Sequence, residues 1–289
     1  MPDKVDSPLK DERVTIYSRD TNFGLPTLKA VWFSLREIWF YRWLIWVNFK
    51  KDFVGQYKRS SVAVLWTVVM PIIPLTAYLF LAFIRALNVT SGLPYPVFII
   101  SGMTIWLILS EGITSAMGAV NKERSVLTKV KIPLITVIIA GYGKVCANTL
   151  IRIPFLVLVF IIFKIVPPPV TLLFPFVLLP IIILGLGFGI IFGMLGAMTQ
   201  DAENAVAVMM RYGMFLCSVI FVMPTDGLMG TLNRLNFFNH LVVGLRDFLV
   251  HGSFSDPFGF IAASAISVLI FIIALRWNYS LEYLVREAL

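Results

Sequence analysis

Charge is scarce in this chain. Only 14% of its residues are Asp, Glu, Lys or Arg, against about a quarter in an ordinary soluble domain. Histidine is scarcer still. His240 and His251 stand without cysteines or clustered carboxylates beside them, which leaves no metal-ligating set. The two cysteines, Cys146 and Cys217, both fall inside apolar runs and read as small buried hydrophobes, not as a disulfide framework. A phosphate loop is missing as well. Gly141-Tyr-Gly143-Lys144-Val145 comes nearest, but Ile138 occupies the place of the upstream glycine. Val145 stands where a Ser or Thr should hold magnesium. Glu111 is the one carboxylate deep in an apolar run, so no carboxylate pair exists for glycosyl chemistry. These absences argue against ATP hydrolysis, metal chemistry and a catalytic residue in this chain, and they call for no cofactor of its own.

What the chain does have is apolar length. Hydrophobic residues make up 58% of it, and the mean hydropathy is +0.87. A spanning helix needs roughly 20 apolar residues to cross a hydrocarbon layer about 30 Å thick. Six runs qualify, at about 62–84, 97–120, 132–163, 170–198, 205–224 and 257–277. The expected fold is therefore an all-α integral membrane protein with six transmembrane helices. Residues 1–27 read as a polar cytoplasmic tail, and 28–289 as one transmembrane domain. The first long apolar run begins near Val62, too late for a signal sequence.

The net charge of +8 would suit nucleic acid in a soluble protein. Here the basic residues gather at the edges of the apolar runs, so orientation and anionic lipid account for them. Eleven Lys and Arg precede the first run, ending in Lys50, Lys51, Lys58 and Arg59. The loop after the second run adds Lys122, Arg124, Lys129 and Lys131, and the C-terminal tail adds Arg286. The opposite loops hold only Arg85, Lys164, Arg234 and Arg246. Both termini are expected in the cytoplasm. The fourth-to-fifth connection, Thr199–Asn204, is acidic and does not bear on the assignment.

Two stretches do not span. In 28–48, Leu28, Val31, Trp32, Leu35, Trp39, Trp43 and Trp46 recur near helical spacing, while charges interrupt too often for a crossing. This predicts an aromatic-rich helix lying in the cytoplasmic interface. Residues 225–256 are half apolar but too short between charges, which predicts short outer re-entrant helices between spans five and six. Elsewhere, Gly185, Gly189 and Gly193, with Ala197 four further on, form a flat face for close helix packing.

Glu111, Lys144 and Arg152 are ionisable residues inside apolar runs, and intramembrane charge is usually paired or faces water. Glu111 lies about ten residues before the 121–131 loop and Lys144 about twelve beyond it, roughly 15 and 18 Å at 1.5 Å per residue. The depths match, so Glu111 and Lys144 are expected to pair or to share a water-filled pocket, with Arg152, two turns further out, the weaker candidate.

The order of these features is familiar. An interfacial helix precedes Asn48-Phe-Lys-Lys-Asp-Phe-Val-Gly-Gln-Tyr-Lys-Arg59, Ser61-Val-Ala-Val-Leu-Trp66 and Met70-Pro71. Tyr95-Pro-Val-Phe98 with Ser101-Gly102, and Leu127-Thr-Lys-Val-Lys-Ile-Pro133, follow. The chain resembles the membrane subunit of ABC-2 type exporters, especially those of O-antigen and capsular polysaccharide, over nearly everything after residue 28. It departs from them at Asn236-Phe-Phe-Asn239, where such proteins often carry Asn-Pro. The resemblance implies a homodimer in a bacterial inner membrane. Two copies of a separate cytosolic ABC ATPase, which binds ATP and Mg, would drive it. A lipid-linked polysaccharide would pass between the protomers. It further implies a substrate channel with Trp66, Tyr78, Phe80 and Phe83, and a coupling element at 121–131 with Lys122, Glu123, Val126, Leu127 and Lys129. An exporter of a drug, lipid or wall polymer on the same fold is the alternative. A membrane enzyme acting on polyprenyl phosphates is a further one, but it would need acidic or Arg clusters that this chain lacks.

Overall fold

The computed structural model describes residues 27–58, 92–130, 132–224 and 226–288, with single positions between Val62 and Phe83. The tail 1–26 and most of the first expected span, including Pro71 and Pro74, lie outside the described residues. Among the described residues every regular element is helical. In chain order these are α1 (Thr27–Phe40), α2 (Arg42–Lys58), α3 (Tyr95–Lys122), α4 (Arg124–Leu127) and α5 (Leu134–Ile162). A 3-10 turn (Pro169–Leu173) leads to α6 (Phe174–Val177), α7 (Leu179–Met198) and α8 (Gln200–Gly213). After a second 3-10 turn (Met214–Leu216) come α9 (Gly227–Leu235), α10 (Phe237–His251) and α11 (Pro257–Ala288).

Four helical stretches among the described residues are long and apolar enough to cross a membrane: Tyr95–Lys122, Leu134–Ile162, Pro169–Met198 and Pro257–Glu287. They correspond to the second, third, fourth and sixth expected runs. α3 is central and the most buried, packed between α5 and α7, with α11 on the far side of α7. Small residues let these helices close up. The Tyr142 ring of α5 fills the space left by Gly112 on α3 and Gly185 on α7, and a methyl group at either glycine would overlap it. Tyr142 donates its hydroxyl to the Ile108 carbonyl at 3.3 Å, which satisfies the one polar atom of a fully buried ring. Gly189 and Gly193 continue the same face against Ala116 and Ile138. The glycine stripe thus packs inside the subunit.

The fifth run differs from expectation. It starts earlier, because Thr199 caps α8 by accepting from the Ala202 N–H at 3.2 Å and Asp201 and Glu203 sit in its first turn, where the helix dipole favours them. It also ends earlier. α8 has 14 residues, about 21 Å at 1.5 Å per residue, and Cys217 is already extended. Side chains from α10 bind the backbone beyond it. Asn236 donates to the Leu216 carbonyl at 2.6 Å, and Asn239 accepts from the Ser218 N–H at 2.7 Å. Arg246 donates to the Ser218 carbonyl and lies over the Phe98 ring, 3.8 Å from its centroid. Buried backbone polar groups freed from a helix need partners within the protein. The Asn-Phe-Phe-Asn sequence provides that here, and Asn236 also caps α10.

The N-terminal element is longer than the predicted 28–48 helix. α1 and α2 run to Lys58 with a break at Tyr41. α1 turns small residues inward, with Ala30 and Ser34 fully buried, while Trp32 and Trp39 of α1 and Trp43 and Trp46 of α2 are exposed. Ser34 donates to the Leu275 carbonyl of α11 at 3.3 Å, and Phe33 stacks on Tyr279. Aromatic rings outward and small residues inward is the reverse of a soluble amphipathic helix. α11 is also longer than its apolar run. Its last turns carry a Glu282–Arg286 pair at 2.8 Å, and Arg286 also donates to the Ile132 carbonyl. These contacts hold the helix together past the apolar stretch.

Candidate functional site

A half-open cavity of about 900 Å³ lies beside α3, walled by α5 and α8 and reached by Trp66 and Tyr78. Its α3 wall is polar because Ser110, Thr114 and Ser115 fall on one helical face. Two of these hydroxyls donate to backbone carbonyls, Thr114 to Ser110 one turn back at 2.9 Å and Ser115 to Gly141 of α5 at 3.0 Å. Asn148 of α5 also lines it and accepts from the Tyr57 hydroxyl of α2 at 3.0 Å. The opposite rim is aromatic. Phe215 meets Tyr78 edge-on at 6.1 Å between centroids and stacks with Tyr212 at 6.5 Å.

Glu111, Lys144, Arg152 and Arg211 all line this cavity. Glu111 and Lys144 share the cavity, one of the two outcomes expected from their depths, but the ion pair goes to Arg152, from Nη2 to Glu111 Oε1 at 2.7 Å. The register explains the change. The Ser115–Gly141 bond sets antiparallel α3 and α5 in level, and one turn away Glu111 does come level with Lys144 and Val145. Side chains, however, lean toward the N-terminus of their own helix. On antiparallel helices the Glu111 and Lys144 side chains therefore diverge, and those of Glu111 and Arg152 converge.

Of the four expected channel residues, Trp66 and Tyr78 line the cavity. Phe80 and Phe83 do not line it and are exposed. In the 121–131 segment the residues divide. Lys51 and Glu123 pair at 2.6 Å, and Asp52 pairs with Lys122, so two adjacent charges of α2 clasp the end of α3. Leu127 is buried against the core and is closed to a partner, whereas Val126 and Lys129 face outward. Lys131 lies outside the described residues. Sequence reasoning missed Arg211, although a lone cation inside an apolar run is the signal that singled out Lys144. It also missed Trp106, whose indole donates to the Met210 carbonyl at 3.1 Å and ties α8 to α3 along the cavity.

Residues 44–250 match the ABC-2 type transporter family. This chain belongs to the ABC-2 type transporter family. It is the multi-pass membrane component of such a transporter, and the family implies an ATPase partner. The O-antigen export system permease protein RfbA of Myxococcus xanthus is 21% identical over 192 residues, which cover 66% of this chain and 73% of that protein. The match to the ABC-2 family takes in α2 from Leu44 on, the cavity, α9 and α10 as far as Val250.

Proposed function

We propose that this chain is the membrane subunit of an exporter of lipid-linked polysaccharide, of O-antigen or capsule type. It works as a homodimer in a bacterial inner membrane, with both termini in the cytoplasm and six crossings per protomer. Two copies of a separate ABC ATPase, which holds ATP and Mg, supply the energy. The observation that carries the reading is the cavity itself, with an aromatic rim at Tyr78, Tyr212 and Phe215 opposite a polar α3 wall. Sugar rings present apolar C–H faces to aromatic rings and hydroxyls to polar groups, so such walls suit a glycan. The O-antigen export relative supports the same substrate class, and the ABC-2 family supports the exporter architecture. α9 and α10 are assigned as outer re-entrant helices and α1–α2 as the cytoplasmic interfacial element, with its tryptophans in the headgroup layer.

The reading is tested in proteoliposomes that hold the full chain and an ATPase subunit with a complete phosphate loop. A polyprenyl-diphosphate-linked oligosaccharide should stimulate ATP hydrolysis and cross the bilayer, and the chain alone should hydrolyse no ATP. Stimulation by an amphiphilic drug or an uncharged lipid, with none by the linked glycan, would move the chain to another substrate class.

A further inference from the structure

Resting on the export reading, the charge in the cavity points to where the substrate's own charge goes. Four charged side chains line it, three cations and one carboxylate. Glu111 is engaged by Arg152. Lys144 and Arg211 form no ion pair among the described residues. They arrive from different helices, Lys144 from α5 and Arg211 from α8, and line the same cavity. A cation within a membrane domain is expensive unless something pairs with it. Two facing the same cavity make a seat for an anion that enters from outside.

We propose that Lys144 and Arg211 form a phosphate subsite, which takes the phosphate group joining a lipid to its polar cargo. A phosphate monoester or diphosphate has several acceptor oxygens and can meet an ammonium and a guanidinium together. Tyr212 follows Arg211 directly and stands on the aromatic rim with Phe215, so a sugar attached to the bound phosphate falls against those rings. The subsite reads charge, and the rim reads the ring beyond it. Two sources share this chemistry, a polyprenyl phosphate carrier and an ordinary phospholipid headgroup.

The test uses the full chain in a neutral detergent with its other five tryptophans replaced by Phe, so that the fluorescence reports Trp66 and Trp106, which line the cavity. Three titrants are compared: a polyprenyl monophosphate, the matching polyprenol, and phosphatidylglycerol. The monophosphate should quench the signal saturably, and the polyprenol should not. Lys144→Met and Arg211→Met should each weaken binding by about tenfold, as expected for loss of one charge-assisted contact. Lys144→Arg should retain binding, and Lys164→Met, outside the cavity, should behave as the unmodified chain. An elution profile unchanged from the parent shows that each variant is folded. Equal binding of polyprenol and polyprenyl phosphate, or wild-type binding by both Met variants, overturns the subsite. That result leaves the export reading to its own vesicle assay. Binding of phosphatidylglycerol as tight as that of polyprenyl phosphate, and equally dependent on Lys144, keeps the subsite but assigns it to bilayer phospholipid and removes its support for glycan export.

Discussion

Lys51 pairs with Glu123 at 2.6 Å while the next residue of each, Asp52 and Lys122, pair in the opposite sense. The two bridges cross-link α2 to the α3–α4 corner with alternating sign, so only one register satisfies both. Each lysine is about half exposed, and a single exposed pair contributes roughly 0.2–1 kcal/mol. Lys51→Ala should therefore lower the melting temperature very little. Glu123→Lys places like charges together and should cost more, and Lys51→Glu combined with Glu123→Lys should recover most of the loss. Failure of the double reversal to recover would show that the charges do not set the register.

The Glu111–Arg152 pair calls for a double-mutant cycle. Removing one partner of a fully buried pair costs about 3–5 kcal/mol, and here, with Glu111 partly open to the cavity, the loss should be smaller, while replacing both can be nearly neutral. Glu111→Gln and Arg152→Met should each reduce the yield of folded protein, and the combined variant should regain much of it. Lys144→Met should not rescue Glu111→Gln. Such a rescue would return the pairing to the one expected from depth alone.

Glu37 gives the interfacial helix a pH response. Burial, aided by Glu282 and opposed by Arg286, pushes its carboxyl from 4.5 up to about 7. A raised carboxyl binds its proton more tightly in the docked state, so docking is favoured at low pH and weakens as pH rises from about 4.5 through about 7. Hydrogen exchange of α1 should therefore be slower at mildly acidic than at alkaline pH. Glu37→Gln should flatten this dependence and slow exchange at alkaline pH. Exchange that slows as pH rises, after correction for the intrinsic rate, would reverse the sign.

Coupling to the ATPase should depend on Val126, because it is exposed at the corner that α2 clasps while Leu127 is buried. Val126→Asp should leave the fold intact and uncouple ATP hydrolysis from export in vesicles. Leu127→Asp should instead destabilise the protein, so it cannot serve as a coupling test. Export that survives Val126→Asp would move the contact elsewhere.

Topology is open to single-cysteine labelling after Cys146 and Cys217 are replaced. Ser125 and Ser255 are exposed and lie at the ends assigned to opposite sides. An impermeant thiol reagent added to intact cells should reach Ser255→Cys and not Ser125→Cys or Asp11→Cys.

The long apolar runs were legible because a bilayer sets one length and the chain meets it. α3 and α5 fall within two residues of the expected limits. Competition for backbone hydrogen bonds was not legible. Nothing in the apolar run at 205–224 announces that Asn236, Asn239 and Arg246, many residues later, will take up its backbone groups. In the site, sequence depth placed Glu111 and Lys144 correctly along their helices. It failed on the direction of the side chains, which depends on the antiparallel setting of α3 and α5.

The asparagine and arginine contacts on the stretch after α8 have a mechanical consequence. An unwound segment inside a membrane domain would ordinarily be its most compliant part. Here Leu216 and Ser218 are moored at three points to a single helix, α10. Any displacement of α10 is handed to the end of α8 without slack, and α8 carries Arg211 and Tyr212 into the cavity. The irregular backbone thus links α10 to the segment that follows α8, and through it to the cavity wall.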